Sequence, residues 1–71
     1  MIRIGDIARR YDEPEHVIRY WCDEFGVPTK RSEGGNRYFD RDAEVAISEV
    51  YRLLRRELYT MAGAKKKLGI E

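Results

Sequence analysis

Apolar residues fall at helical spacing in four stretches of this chain, and between the second and third of them the period disappears. Ile4, Ile7, Ala8 and Tyr11 stand at i, i+3, i+4 and i+7, with Asp6, Arg9 and Arg10 on the opposite face, so the spacing predicts a first helix over about Gly5 to Tyr11. Asp12, with Pro14 and then Glu15 three positions on, has the makings of a capped helix start. Val17, Ile18, Trp21, Cys22 and Phe25 continue a helical stripe until Gly26 and Pro28 end it. Two helices joined by a very short turn are therefore expected.

From Thr29 to Phe39 there is no helical period, and a Gly34-Gly35 pair separates two short polar and aromatic flanks. Glycine adopts the positive φ that a tight hairpin turn demands, which predicts a small two-stranded ribbon. Asp40 is a suitable N-cap for a long third helix whose apolar face is Ala46, Ile47, Val50, Leu53, Leu54 and Leu58. Thr60 can cap a last short helix bearing Met61, Ala64 and Leu68, with Lys65, Lys66 and Lys67 near the end where the helix dipole favours cations. The expected fold is mainly α: a winged helix-turn-helix of about four helices with a two-stranded β-hairpin wing, forming a single domain over residues 1–71.

Composition narrows the function classes. At 71 residues, 42% hydrophobic and 38% charged, the chain is too apolar for a disordered tail and too charged for a membrane span. One cysteine and one histidine exclude both a disulfide framework and a structural zinc set, so neither metal nor cofactor is expected. No Ser-His-Asp or Cys-His set and no phosphate loop is present, which argues against an enzyme. Fourteen Lys and Arg against thirteen Asp and Glu leave a net charge of +1, so any anionic partner must be argued from where the charges sit. A reducing, cytoplasmic setting is expected from the cysteine usage and from the charged N-terminal sequence.

The order of elements and several local segments together resemble the N-terminal DNA-binding domain of the MerR (mercury-resistance regulator) family. The resemblance rests on Ile4-Gly5-Asp6-Ile7-Ala8, Ile18-Arg19-Tyr20-Trp21, Pro28, Arg31, Glu33 through Phe39, and Asp42, and it runs from Ile4 to Leu68. It implies a bacterial, nucleoid-associated transcription factor that binds double-stranded DNA at a promoter-like palindrome as a homodimer. The dimerising helix and the effector-binding segment of such a regulator would lie beyond Glu71, and the 71 residues alone are expected to be monomeric. The resemblance further implies DNA contacts by Arg19, Tyr20 and Trp21 on the second helix and by Arg31, Arg37 and Tyr38 in the wing.

The chemistry of these side chains supports that reading independently. An arginine forks to phosphate or to guanine O6 and N7, a tyrosine hydroxyl donates to phosphate, and glycine-exposed amides let a sugar-phosphate chain come close. Lys30 and Asn36 join the candidates as a cation and an amide in the same ribbon, and His16 as a residue near the start of the reading helix. From Lys30 to Tyr38, three cations against Glu33 give +2. From Glu13 to Phe25, Arg19 against Glu13, Glu15, Asp23 and Glu24 gives −3, which shifts the expected affinity toward the wing. Each candidate also has a plainer reading: Trp21 on the apolar stripe can be core, Cys22 a buried small hydrophobe, His16 idle, Glu15 a cap, and the wing a solvated hairpin. Two other functions fit the same fold, an excisionase-like DNA-bending recombination factor and a protein-interaction module that has lost DNA binding.

Overall fold

The computed structural model describes residues 2–70 and contains four α-helices with a three-stranded antiparallel sheet. Strand β1 (Ile2–Arg3) runs directly into α1 (Ile4–Tyr11), which is followed by α2 (Glu15–Phe25). Strands β2 (Lys30–Arg31) and β3 (Arg37–Phe39) form the wing, and α3 (Arg41–Tyr51) and α4 (Met61–Lys67) complete the chain. The sheet order is β1-β3-β2, with Ile2 opposite Phe39, Arg3 and Lys30 both opposite Tyr38, and Arg31 opposite Arg37. The two-stranded ribbon expected from the sequence forms as β2 and β3, and a third strand joins it: Ile2 and Arg3 pair along the free edge of β3, and α1 begins at Ile4.

Asp12 does not cap α2. It closes α1 in the left-handed conformation, φ 54°, and donates its backbone N–H to the carbonyls of Ala8 and Arg9. Aspartate tolerates this region better than most residues, which lets the chain reverse within three residues. Pro14 then stands at the N-cap of α2 with no side-chain cap, its φ of −63° already suited to the entry. At the far end of α2, Gly26 takes φ 65° and the Val27 N–H reaches back to the Cys22 carbonyl at 3.0 Å, a closure that needs the absent side chain of glycine. In the wing, the Gly35 N–H donates to the Ser32 carbonyl at 2.9 Å while Gly35 sits at φ 82°, and Ser32 Oγ accepts from the Asn36 N–H at 3.2 Å.

Asp40 caps α3 as expected, accepting from the Ala43 N–H at 3.0 Å, and Thr60 caps α4 by accepting from the Gly63 N–H at 3.0 Å. The third helix does not continue regularly to Leu58. Residues Arg52–Arg56 form a π-helical turn, in which the Glu57 N–H bonds the Arg52 carbonyl five residues back at 2.9 Å. The chain then reverses through Leu58 at φ 59°, whose side chain is 78% exposed. Leu53 and Leu54 remain buried, so the apolar face ends one turn earlier than its spacing suggests.

One core lies between the helices and the sheet. Ile7, Ile18, Phe39, Ile47, Val50 and Leu53 are the largest fully buried side chains, one or more from α1, α2, β3, α3 and the π-helical turn. Trp21, Cys22, Phe25, Val27 and Ala43 fill the space around them. Burying a large aliphatic or aromatic side chain stabilises by about 1.5–3 kcal/mol, so this cluster is what holds α1 and α2 at a fixed angle and the wing at their side.

Candidate nucleic-acid interface

The wing is anchored to α2 by a largely covered arginine and an open carboxylate. Arg37 leaves β3 with its side chain only 10% exposed, donates from Nη2 to Asp23 Oδ1 at 3.2 Å and from Nη1 to the Arg19 carbonyl at 3.5 Å. Lys30 Nζ on β2 lies 3.3 Å from Asp40 Oδ2 at the start of α3. The same Asp40 carboxyl is held below the usual range for an aspartate, chiefly by the Ala43 N–H it accepts from and further by Lys30. The hairpin is therefore tied to the helices on both sides.

The charges of α2 and its preceding turn are spent within the fold. Glu13 takes a two-pronged bond from Arg55, Nε to Oε2 at 2.8 Å and Nη2 to Oε1 at 3.2 Å, and the same guanidinium lies 5.1 Å from the centre of the Trp21 ring. The bond to Glu13 raises the Arg55 guanidinium above its ordinary range, so it stays charged throughout the accessible pH span. Glu24 accepts from Lys65 of α4 at 2.8 Å, Asp23 holds Arg37, and Glu15 lies 3.6 Å from Arg19 one turn along α2. The sequence excess of three negative charges thus does not present an acidic face: three of the four acids tie α2 and the turn before it to other elements.

With those acids engaged, an open groove of about 590 Å³ forms between the start of α1, the first half of α2 and the wing. Arg3 from β1, Arg9 from α1, Arg19 from α2, and Arg31 and Arg37 from the wing line it, with Asn36, Gly5, Asp6 and Glu15. Arg9 also pairs with Asp6, and Arg31 Nη1 donates to the Gly35 carbonyl at 3.3 Å, which steers it along the hairpin. Arginines from β1, α1, α2, β2 and β3 converge on one concavity; Arg37 is held by Asp23 and the Arg19 carbonyl, and the other four present forks suited to the phosphates or base edges of a polyanion.

Of the residues singled out in the sequence, Arg19, Arg31, Asn36 and Arg37 meet in this groove. Tyr38 is half-buried and lines a smaller recess that shares Arg3, Asn36 and Arg37 with the groove. Tyr20, 53% exposed, and His16 lie on the outer surface of α2, and Lys30 is exposed at the wing base. Trp21 is corrected from the DNA-facing set to the core: it is 3% exposed, stacked edge-on to Tyr51 at 6.5 Å and covered by Arg55, so its indole has no free face. Arg3 and Arg9 were not legible as candidates, since one belongs to a two-residue strand and the other reads as the polar side of an amphipathic helix.

Cys22 is buried, and burial pushes its thiol up despite the neighbouring Arg37 guanidinium. Among the described residues no group of three or more His, Cys, Asp or Glu could hold a metal ion, and no helix is long and apolar enough to cross a membrane.

Comparison with protein families matches the chain to the MerR HTH family regulatory protein model over residues 2–69. Neither the curated proteins nor the solved structures yield a match.

Proposed function

The chain belongs to the MerR helix-turn-helix family of regulatory proteins, and from that premise we propose that it binds double-stranded DNA sequence-specifically, with α2 in the major groove and the wing along the phosphate backbone. The observation that carries this reading is the arginine-lined groove between β1, α1, α2 and the wing. In this reading Arg31, Arg3 and Arg9 hold phosphates, Arg19 reads a base edge, and His16, Tyr20 and Asn36 flank it, with Tyr38 and Lys30 supporting the wing. In this reading, transcription regulation follows from a palindromic promoter site occupied by two such modules. Among the described residues the exposed large hydrophobics Tyr20, Val45, Leu58 and Ile70 are spread over four separate places in the fold, which favours a monomer.

Fluorescence anisotropy of a labelled random duplex over a salt series tests the reading. Binding at low salt with a log–log slope of about −0.9 for each phosphate neutralised is expected. A selection from a randomised duplex library should then enrich a half-site. Absence of binding to any duplex at low salt would overturn the assignment.

A further inference from the structure

We propose that Glu15 sets the selectivity of this surface: it competes with backbone phosphate for Arg19 and yields that arginine where a base step offers guanine to Arg19 and a cytosine amino group to Glu15. The inference rests on the DNA-binding reading above. Glu15 Oε1 lies 3.6 Å from Arg19 Nη1, and both side chains are about half exposed, so the pair is accessible rather than structural filler. The other carboxylate oxygen of Glu15 lies over Gly5, 3.3 Å from where a Cβ would stand, and Arg9 Nη1 is 4.0 Å from the same point. A Cβ at residue 5 would make that carboxylate oxygen give way by a few tenths of an ångström, so the glycine leaves the acid room beside the arginines. Asp23 also holds a groove arginine, but Arg37 is nearly buried and turned to the fold; Glu15 is paired within α2 itself, with an arginine that stays half exposed.

A carboxylate in the first turn gains from the helix dipole wherever it points, so that gain does not explain its place in the groove. Its effect on a ligand does differ with the ligand. A phosphate satisfies Arg19 but meets Glu15 as a like charge, and a neutral pair releases no counterion, so Arg19 contributes nothing to binding of random DNA. Guanine O6 and N7 accept the arginine fork, while cytosine N4 donates to a carboxylate. Residues four apart on a helix are separated by about 6 Å along its axis, within a span of two base-pair steps of about 3.4 Å each, so both side chains can reach base edges of one short segment.

The test compares wild type with Glu15→Gln, which keeps size and removes charge, on random duplex and on a site selected by the wild type from a randomised library. Glu15→Gln is expected to bind random duplex about twofold more tightly at low salt, the worth of one exposed i,i+4 ion pair, with the salt slope steeper by about 1. Its advantage for the selected site falls by a similar factor, and its own selected library loses a cytosine preference at one position. Adding Arg19→Gln should abolish the gain. Glu49→Gln, which removes an equal charge from the Arg52 pair outside the groove, should produce none. An equal gain in Glu49→Gln, a gain that survives loss of Arg19, or no gain at all would each overturn the proposal. Wild-type binding with an indifferent Glu15→Gln removes this inference alone; failure of both proteins to bind any duplex removes the DNA-binding reading with it.

Discussion

Arg37 of the wing and Asp23 of α2 are joined at 3.2 Å, with the arginine nearly buried and the carboxylate open to solvent. The arginine expected to lie on phosphate is thereby turned toward the protein, and the wing takes its angle from α2. Arg37→Ala is expected to weaken DNA binding by freeing the hairpin while leaving the salt slope within a few tenths. Arg31→Ala, at an exposed wing position, should flatten the slope by about 1 for the lost phosphate contact. Anisotropy over a salt series separates the two; a slope change of 1 on removing Arg37 would return that side chain to the backbone.

Glu13, Arg55 and Trp21 form a second tie, from the turn between α1 and α2 to the π-helical turn. Arg55 is about half exposed, so solvent screens the pair, and its coupling in a double-mutant cycle with Glu13→Ala should be about 0.5–1 kcal/mol. Urea midpoints for the two single variants and the double variant give the value. Additive effects would show that the two side chains act separately.

Stability at low pH depends on Asp40. Its carboxyl titrates lower in the fold than in the unfolded chain because the Ala43 N–H and Lys30 favour the charged form. The sign is that of any depressed carboxylate: its contribution is full above the unfolded value, near pH 4, and is lost as pH falls through the lower folded value. Asp40→Asn keeps an acceptor for the helix N-terminus and cannot titrate. Its melting temperature should fall less steeply than wild type between about pH 4 and pH 2, and parallel curves would remove Asp40 as a source of the acid dependence.

The Cys22 thiol should be inert in the native protein. It is buried, and burial raises its pKa, so little thiolate is present to attack an external disulfide. Ellman's reagent at pH 8 should react slowly in buffer and rapidly in denaturing urea. Fast native reaction would mean that α2 opens locally.

What the sequence disclosed and what it hid divide along physical lines. The helices announced themselves because Ile7, Ile18, Ile47 and Leu53 recur at the spacing that a buried helix face requires. Asp40 and Thr60 cap where their residue types predict, because capping is decided within four residues. Asp12 was ambiguous, since aspartate suits both a helix start and a left-handed helix end, and only the packing of α1 on α2 selects the second. Strand β1 is two residues long, too short for any period to register. Arg19, Arg31 and Arg37 were recognisable as cations near an expected interface, but whether each faces outward depends on partners 14 positions away, as Asp23 is from Arg37. Arg3 and Arg9 reach the groove only because β1 and α1 pack beside α2 and the wing.

The wide turn at Arg52–Arg56 changes the angular bookkeeping of everything after it. An α-helix advances about 100° per residue, and one extra residue per turn displaces the next side chain by that angle. A position counted inward from Val50 is thereby rotated away, and Leu58 emerges beside a reversed chain while the Tyr59 N–H returns to the Leu53 carbonyl at 2.8 Å. The turn works as a phase shifter at the end of α3, just before the reversal at Leu58. Deleting a single residue from it would rotate Leu58 and the reversal by about 100° relative to α3 and change the direction in which α4 leaves, moving Lys65 away from Glu24.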